Sequence, residues 1–139
     1  MPVHFILAPL FVQVLLVFIL QLWMAKERST ALSRRETHPR DIALGQQNWP
    51  TRATQVANCF RNQFEVPVLF YVVTILALIT HQADLLFVLL SWVFVVLRYA
   101  HAFIHTTSNR VQRRGLVYLA GALVVMGLWI ELALRLYLP

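Results

Sequence analysis

Charge is scarce in this sequence. Only 13% of its 139 residues are Asp, Glu, Lys or Arg, against 59% hydrophobic, and the mean hydropathy is +0.65. Soluble domains carry about 25% charged residues, so this composition excludes an ordinary water-soluble domain and points to a membrane. Cysteine is rarer still: the lone Cys59 closes no intrachain disulfide and has no metal-ligand spacing around it, which leaves a small buried packing residue. There is no internal repeat and no low-complexity tract. The net charge of +6 comes without any nucleic-acid-binding motif, and no nucleic-acid partner is expected. The N-terminal run lacks the basic leader and small-residue cleavage site of a signal peptide, so it is expected to remain in the mature protein.

What the sequence does have is apolar runs of membrane length. About 20 apolar residues cross roughly 30 Å of hydrocarbon, and four such runs occur, at about residues 3–24, 53–80, 85–106 and 113–137. The first is interrupted only by His4, Pro9, Gln13 and Gln21. Short joints, THQAD around His81 and TTSNRVQ around Asn109, separate the last three, so consecutive helices are antiparallel neighbours. Residues 1–139 are therefore expected to form one all-α domain, an integral membrane four-helix bundle of up-down topology. Residues 25–52 form the one long polar joint, expected to contain a short interfacial helix or to be an ordered loop. This loop holds Lys26, Arg28, Arg34, Arg35, Arg40 and Arg52, and the last joint leads into Arg110, Arg113 and Arg114. The N-terminal tip and the His81 joint have no lysine or arginine. The positive-inside bias puts the basic loops in the cytoplasm and both termini outside.

That topology brings three polar stripes to one depth. Asn58, Arg61, Asn62 and Glu65 lie in the cytoplasmic half of the second helix, Arg98, His101 and His105 in that of the third, and Arg113, Arg114 and Tyr118 in that of the fourth. Steps of three and four residues put each set on one helical face. A charge at the bilayer centre costs at least about 2.5 kcal/mol, so such stripes face a bundle interior or a wet cavity. Singly, Arg61 and Glu65 read as a self-neutralising pair and Arg98 as a snorkelling arginine; the coincidence in depth argues for a polar pocket open to the cytoplasm. Pro67 removes a helical hydrogen bond to the Gln63 carbonyl and is expected to kink the helix beside it. His101 and His105 have zinc-like i, i+4 spacing but lack the glutamate of HExxH and a third ligand, and no metal is expected.

Several guanidinium groups with one carboxylate and an amide suit a ligand bearing carboxylates and an ammonium. Glutathione is such a ligand, and a nearby arginine would lower its thiol pKa from about 8.5. The stretches RNQFEVPVLF (61–70), RYAHAFIH (98–105) and RRGLVY (113–118) resemble the motifs of the MAPEG family, the membrane-associated proteins in eicosanoid and glutathione metabolism. The resemblance spans nearly the whole chain. It implies a homotrimer with a cytoplasm-facing site between adjacent subunits, glutathione as co-substrate, and a lipophilic second substrate entering from the bilayer. It also implies that Asn62 and Glu65 contact the tripeptide backbone, that Arg98 and Arg114 hold it or stabilise its thiolate, and that Tyr118 lies near it. The expected set is therefore Arg114, His105 and Tyr118 in catalysis, with Arg61, Asn62, Glu65, Arg98, His101 and Arg113 in glutathione binding.

Departures from the family pattern occur at Asn58, where several members have arginine, at His105, where they have tyrosine, and at Gly115, which offers no hydroxyl for prostaglandin or leukotriene synthesis. The leading expectation is a glutathione-dependent transferase or peroxidase acting on lipophilic electrophiles or hydroperoxides. A non-catalytic scaffold or lipid-binding trimer is the alternative, predicting that Glu65 pairs directly with Arg61 or Arg98 and leaves no cavity. A small proton-coupled transporter using Glu65 is the third reading.

Overall fold

A computed structural model describes residues 1–138. Five helices carry the fold: α1 (Val3–Ser33), α2 (Thr51–Asn62), α3 (Val66–Ile79), α4 (Leu85–Thr106) and α5 (Val111–Tyr137). With α2 and α3 taken as one span, four segments are long and apolar enough to cross a membrane, and no strand occurs among the described residues. This is the expected four-helix membrane bundle.

Two boundaries differ from the sequence reading. α1 does not stop near residue 24 but continues through AKERSTALS to Ser33, because that stretch contains good helix formers and no glycine or proline. The Trp23 indole N–H also donates to Glu27 Oε1 one turn on. The helix ends where Arg35 turns to φ 56° and the Glu36 N–H reaches back to the Ala31 carbonyl, a left-handed stop. Its 31 residues extend about 46 Å at 1.5 Å per residue, so its last turns project beyond the hydrocarbon. What remains of the polar loop is ordered around a short 3-10 turn, Pro39–Asp41.

The second difference is at Pro67, where the expected kink is a complete break. Gln63, Phe64 and Glu65 donate to Phe60, Arg61 and Asn62 in tight i to i−3 bonds. Glu65 then leaves helical geometry at φ −96°, ψ −112° before α3 starts. The missing proline N–H makes continuation impossible without an orphaned carbonyl, and the break turns Glu65 out of phase with Arg61.

The main core joins Phe70, Val73 and Ala77 of α3 to Phe87, Phe94 and Val95 of α4 and Val125, Leu128 and Leu132 of α5. The Phe70 and Phe94 rings pack 4.7 Å apart, and buried Thr74 and Ser91 satisfy their hydroxyls on carbonyls of their own helices. A smaller cluster of Leu16, Leu20, Cys59 and Ala102 ties α1 to α2 and α4, where Cys59 is buried and unpaired as expected. Large apolar side chains such as Phe11, Leu22, Phe103 and Leu116 point outward, as they must in a bilayer.

At the basic end the helices are clasped by cations. Arg28 of α1 stacks over Trp49, and Arg52 of α2 over Trp23, both at 4.9 Å. Arg52 and Gln55 also donate to the Thr106 and His105 carbonyls, satisfying orphan acceptors at the C-terminus of α4. At the opposite end Asp84 caps α4 through the Phe87 N–H at 2.9 Å and pairs with Arg135, which also reaches Glu131 at 3.0 Å. Partial burial pushes the Asp84 carboxyl upward, but the Phe87 N–H and the Arg135 guanidinium outweigh it and hold the group below the ordinary carboxylate range. A lowered carboxylate stabilises fully above its unfolded value, about pH 4, and loses that contribution as pH falls through the folded value. Thermal unfolding in detergent should therefore show a midpoint that drops with acid below about pH 4 less steeply in Asp84→Asn than in the wild type. Asp84→Ala should cost about 1 kcal/mol, the usual value of a helix cap.

Candidate functional site

The break between α2 and α3 faces the last turns of α4 and the first turns of α5. There an open pocket of 370 Å³ forms, within the range of about 300–1,000 Å³ that small-molecule sites occupy. Asn62 and Glu65 line one wall, His101 and His105 a second, and Arg114, Gly115 and Tyr118 the third, with Val111 at the rim. A Cβ on Gly115 would meet nothing within 4 Å, so this glycine opens the wall.

A relay of hydrogen bonds fixes the polar groups. Arg98 donates to Asn62 Oδ1 at 2.5 Å, Asn62 donates to Glu65 Oε2 at 3.0 Å, and the Tyr118 hydroxyl donates to the same oxygen at 3.2 Å. Because the guanidinium holds the amide oxygen, the Asn62 NH₂ is turned toward the carboxylate. Glu65 Oε1 accepts nothing among the described residues. Arg98 itself is 2% exposed and stands behind the wall rather than in it. No carboxylate pairs with it among the described residues, where the ion pairs involve Arg40 and Arg135. Its Nε and the Nδ1 atoms of His101 and His105 are buried without partners. The two imidazoles meet edge to face at 5.4 Å, and His101 lies 5.8 Å from the Tyr118 ring.

Arg114 is half-buried and donates to Asn109 Oδ1 at 2.6 Å. Asn109 adopts φ 50°, a left-handed conformation that asparagine tolerates better than most residues. This turn places its side chain under the guanidinium. In the sequence Asn109 reads only as part of a joint; the signal for its role is an asparagine just ahead of a helix that opens with arginines. Arg61 and Arg113 are not brought to the pocket. Arg113 is exposed, and Arg61 lines a separate cleft with Arg28 and Asn58. No group of three or more His, Cys, Asp or Glu stands at metal-binding distance among the described residues.

Beside the polar pocket, an apolar groove of 480 Å³ runs between α3 and α5, lined by Val66, Leu69, Ala122, Val125, Met126 and Trp129. Val66 follows Glu65, and Ala122 stands one turn beyond Tyr118, so the two hollows are neighbours at the α2–α3 break and along α5. The Trp129 indole N–H donates to the Leu69 carbonyl at 3.2 Å, pinning the far end of the groove.

The MAPEG family model matches residues 6–134, from the start of α1 to the last turn of α5. The chain belongs to the MAPEG family. MAPEG proteins include glutathione transferases, peroxidases and eicosanoid synthases, and members generally use glutathione. No curated protein and no solved structure matches the chain significantly. For a MAPEG member, the chemistry of the donors fits a zwitterionic thiol peptide in part. Glu65 offers an acceptor for an ammonium, Asn62 and Tyr118 offer amide and hydroxyl groups, and Arg114 is the one guanidinium among the described residues that line the pocket.

Proposed function

We propose that this MAPEG protein is a membrane-bound, glutathione-dependent transferase or peroxidase acting on lipophilic electrophiles or hydroperoxides. The observation that carries the reading is a polar pocket holding Arg114, Glu65 and Asn62 next to an apolar groove that starts at the same α2–α3 break and shares α5 with it. Glutathione binds in the pocket with its ammonium on Glu65 and its backbone on Asn62, and the apolar substrate approaches along the groove. Arg114 stabilises the thiolate as a preorganised charge in a water-poor site. His105 donates a hydrogen bond, the Tyr118 hydroxyl accepts one while its O–H stays on Glu65, His101 supports the Tyr118 ring, and Arg98 acts through Asn62. In transfer, the sulfur forms a bond to the electrophilic carbon and the leaving group departs with its electron pair. In reduction, two glutathione thiols give a disulfide while a hydroperoxide becomes an alcohol and water. The working unit is a homotrimer with sites between adjacent copies, its basic end toward the cytoplasm, and the neighbouring copy supplies the cations for the two carboxylates.

A purely structural role for the polar stripes calls for direct pairing of Glu65 with Arg61 or Arg98; neither pair occurs among the described residues. Equilibrium binding of glutathione to the purified protein is the direct test. Saturation in the millimolar range or below is expected, with turnover of a generic electrophile or a lipid hydroperoxide that depends on the thiol. Absence of saturable binding would overturn the mechanism.

A further inference from the structure

The break ahead of Pro67 deprives one backbone acceptor of its helical partner. In a continuous helix the Gln63 N–H would bond the Cys59 carbonyl; here it turns to Phe60 at 3.0 Å, and Cys59 is fully buried. Hydrocarbon offers such a carbonyl no water, so it needs an internal donor. The Gln63 side chain supplies one, its Nε2 donating to the Cys59 carbonyl at 3.1 Å. Gln63 Oε1 in turn accepts from Gln13 Nε2 of α1 at 3.1 Å. Both glutamines are 0% exposed, and the catalytic reading uses neither.

The α1 end of this strut is itself anchored. Beside Gln13, the Val12 carbonyl accepts from the Tyr99 hydroxyl of α4 at 2.7 Å, and Tyr99 adjoins Arg98, which holds Asn62. Gln63 follows Asn62 directly and precedes Glu65 by two residues, so whatever fixes Gln63 fixes both pocket groups. Core stability gives no reason for the amide pair. Gln13 Oε1 is buried without a partner among the described residues, whereas two leucines would fill the space with no desolvated polar atom. What the amides supply and leucines cannot is direction: they hold the tight turn at Gln63, and with it the side from which Asn62 and Glu65 enter the pocket.

We infer that Gln13 and Gln63 are positioning residues, an intramembrane amide latch that holds the α2–α3 break in the geometry presenting Asn62 and Glu65 to a bound thiol peptide. The latch rests on the glutathione reading for its ligand, but its hold on the break is a property of the free protein. Neither glutamine touches the ligand; both act through the backbone of the turn.

Two measurements on the full chain in detergent test this, one without glutathione and one with it. In hydrogen exchange of the free protein, the Phe64 and Glu65 amides, which donate within the turn, should exchange about tenfold faster in Gln13→Leu than in the wild type, the effect of losing one hydrogen bond. Amides in the middle of α4 should keep their rates. In steady-state turnover, Q13L should raise the KM for glutathione about tenfold and leave kcat within about twofold, because Asn62 and Glu65 hold ground and transition states alike. In Q13L/Q63L no side-chain amide is stranded and the Cys59 carbonyl can regain the Gln63-position N–H as a helical partner. That double variant should therefore recover thermal stability relative to Q13L but not glutathione affinity, and it carries both readouts if Q13L does not fold. Gln82→Leu, the same change in the joint at the opposite end, should alter neither. Unchanged exchange at Phe64 and Glu65 in both latch variants, or a KM that recovers together with thermal stability in Q13L/Q63L, would overturn the latch. A wild type with no saturable glutathione binding would instead overturn the thiol reading, and the exchange measurement alone then decides the latch.

Discussion

Replacing Arg114 with alanine is expected to lower thiol turnover about 100- to 1,000-fold, the usual effect of removing one preorganised charge stabiliser. The guanidinium is held by Asn109 at 2.6 Å and lines the pocket with its remaining donors, so it need not reorganise as sulfur becomes anionic. Its removal frees only one amide oxygen near the helix start, and folding stability should change by less than about 1 kcal/mol. The pH profile separates charge stabilisation from simple positioning. Without the cation the bound thiol should titrate near its free value of about 8.5, so the variant's rate should keep rising with pH after the wild type has levelled off. Arg114→Lys should recover part of the rate, since a point charge replaces the fork. An alanine variant with unchanged rate and unchanged pH profile would remove Arg114 from the mechanism.

Arg98→Met should separate binding from stability in the opposite way to an ordinary core residue. A buried arginine in a membrane helix costs about 2.5 to 3.5 kcal/mol on insertion scales, and Arg98 meets this cost with one hydrogen bond to a neutral amide and no carboxylate. Methionine of similar length removes the charge and its desolvation penalty while stranding Asn62 Oδ1, a loss of about 1–3 kcal/mol. The two terms oppose each other at similar size, so the unfolding midpoint in detergent should move little. Binding should not be spared. Once Asn62 is no longer oriented, Glu65 loses one of the two donors that fix it, and glutathione affinity should fall about 10- to 100-fold, the equivalent of one charge-assisted hydrogen bond. The informative readout is the split: a large change in KM with a small change in Tm. A collapse of stability with binding intact in the remaining folded fraction would make Arg98 purely structural.

Much of this was legible because membrane helices make hydropathy and period unusually strong signals. Antiparallel topology alone brought Asn62, Glu65, His101, His105, Arg114 and Tyr118 to one level, and all six line one pocket. Arg61 was read with Glu65 because residues four apart share a face of a continuous helix; the break at Pro67 destroys that phase, and the size of a proline's effect on the axis is set by packing that a sequence does not display. Arg98 was placed at the right depth, but whether a buried side chain lines a cavity or backs it depends on rotamer and neighbours. Asn109 escaped because its role rests on a left-handed backbone turn, and the extension of α1 to Ser33 because hydropathy marks where apolar residues stop, not where a helix does.

The divided second span also bears on how the chain enters the bilayer. α2 and α3 have 12 and 14 residues, and neither meets the requirement of about 20 for crossing alone. α2 carries Arg52, Arg61 and Asn62 and is polar on average, whereas α3 is almost wholly apolar. Partitioning from the insertion machinery must therefore be led by α3, with α2 drawn in behind it and held only once α1 and α4 are present to shield its polar face. Asn62 and Glu65 thus become lipid-inaccessible late in biogenesis, and the pocket they line is assembled after the hydrophobic scaffold rather than with it.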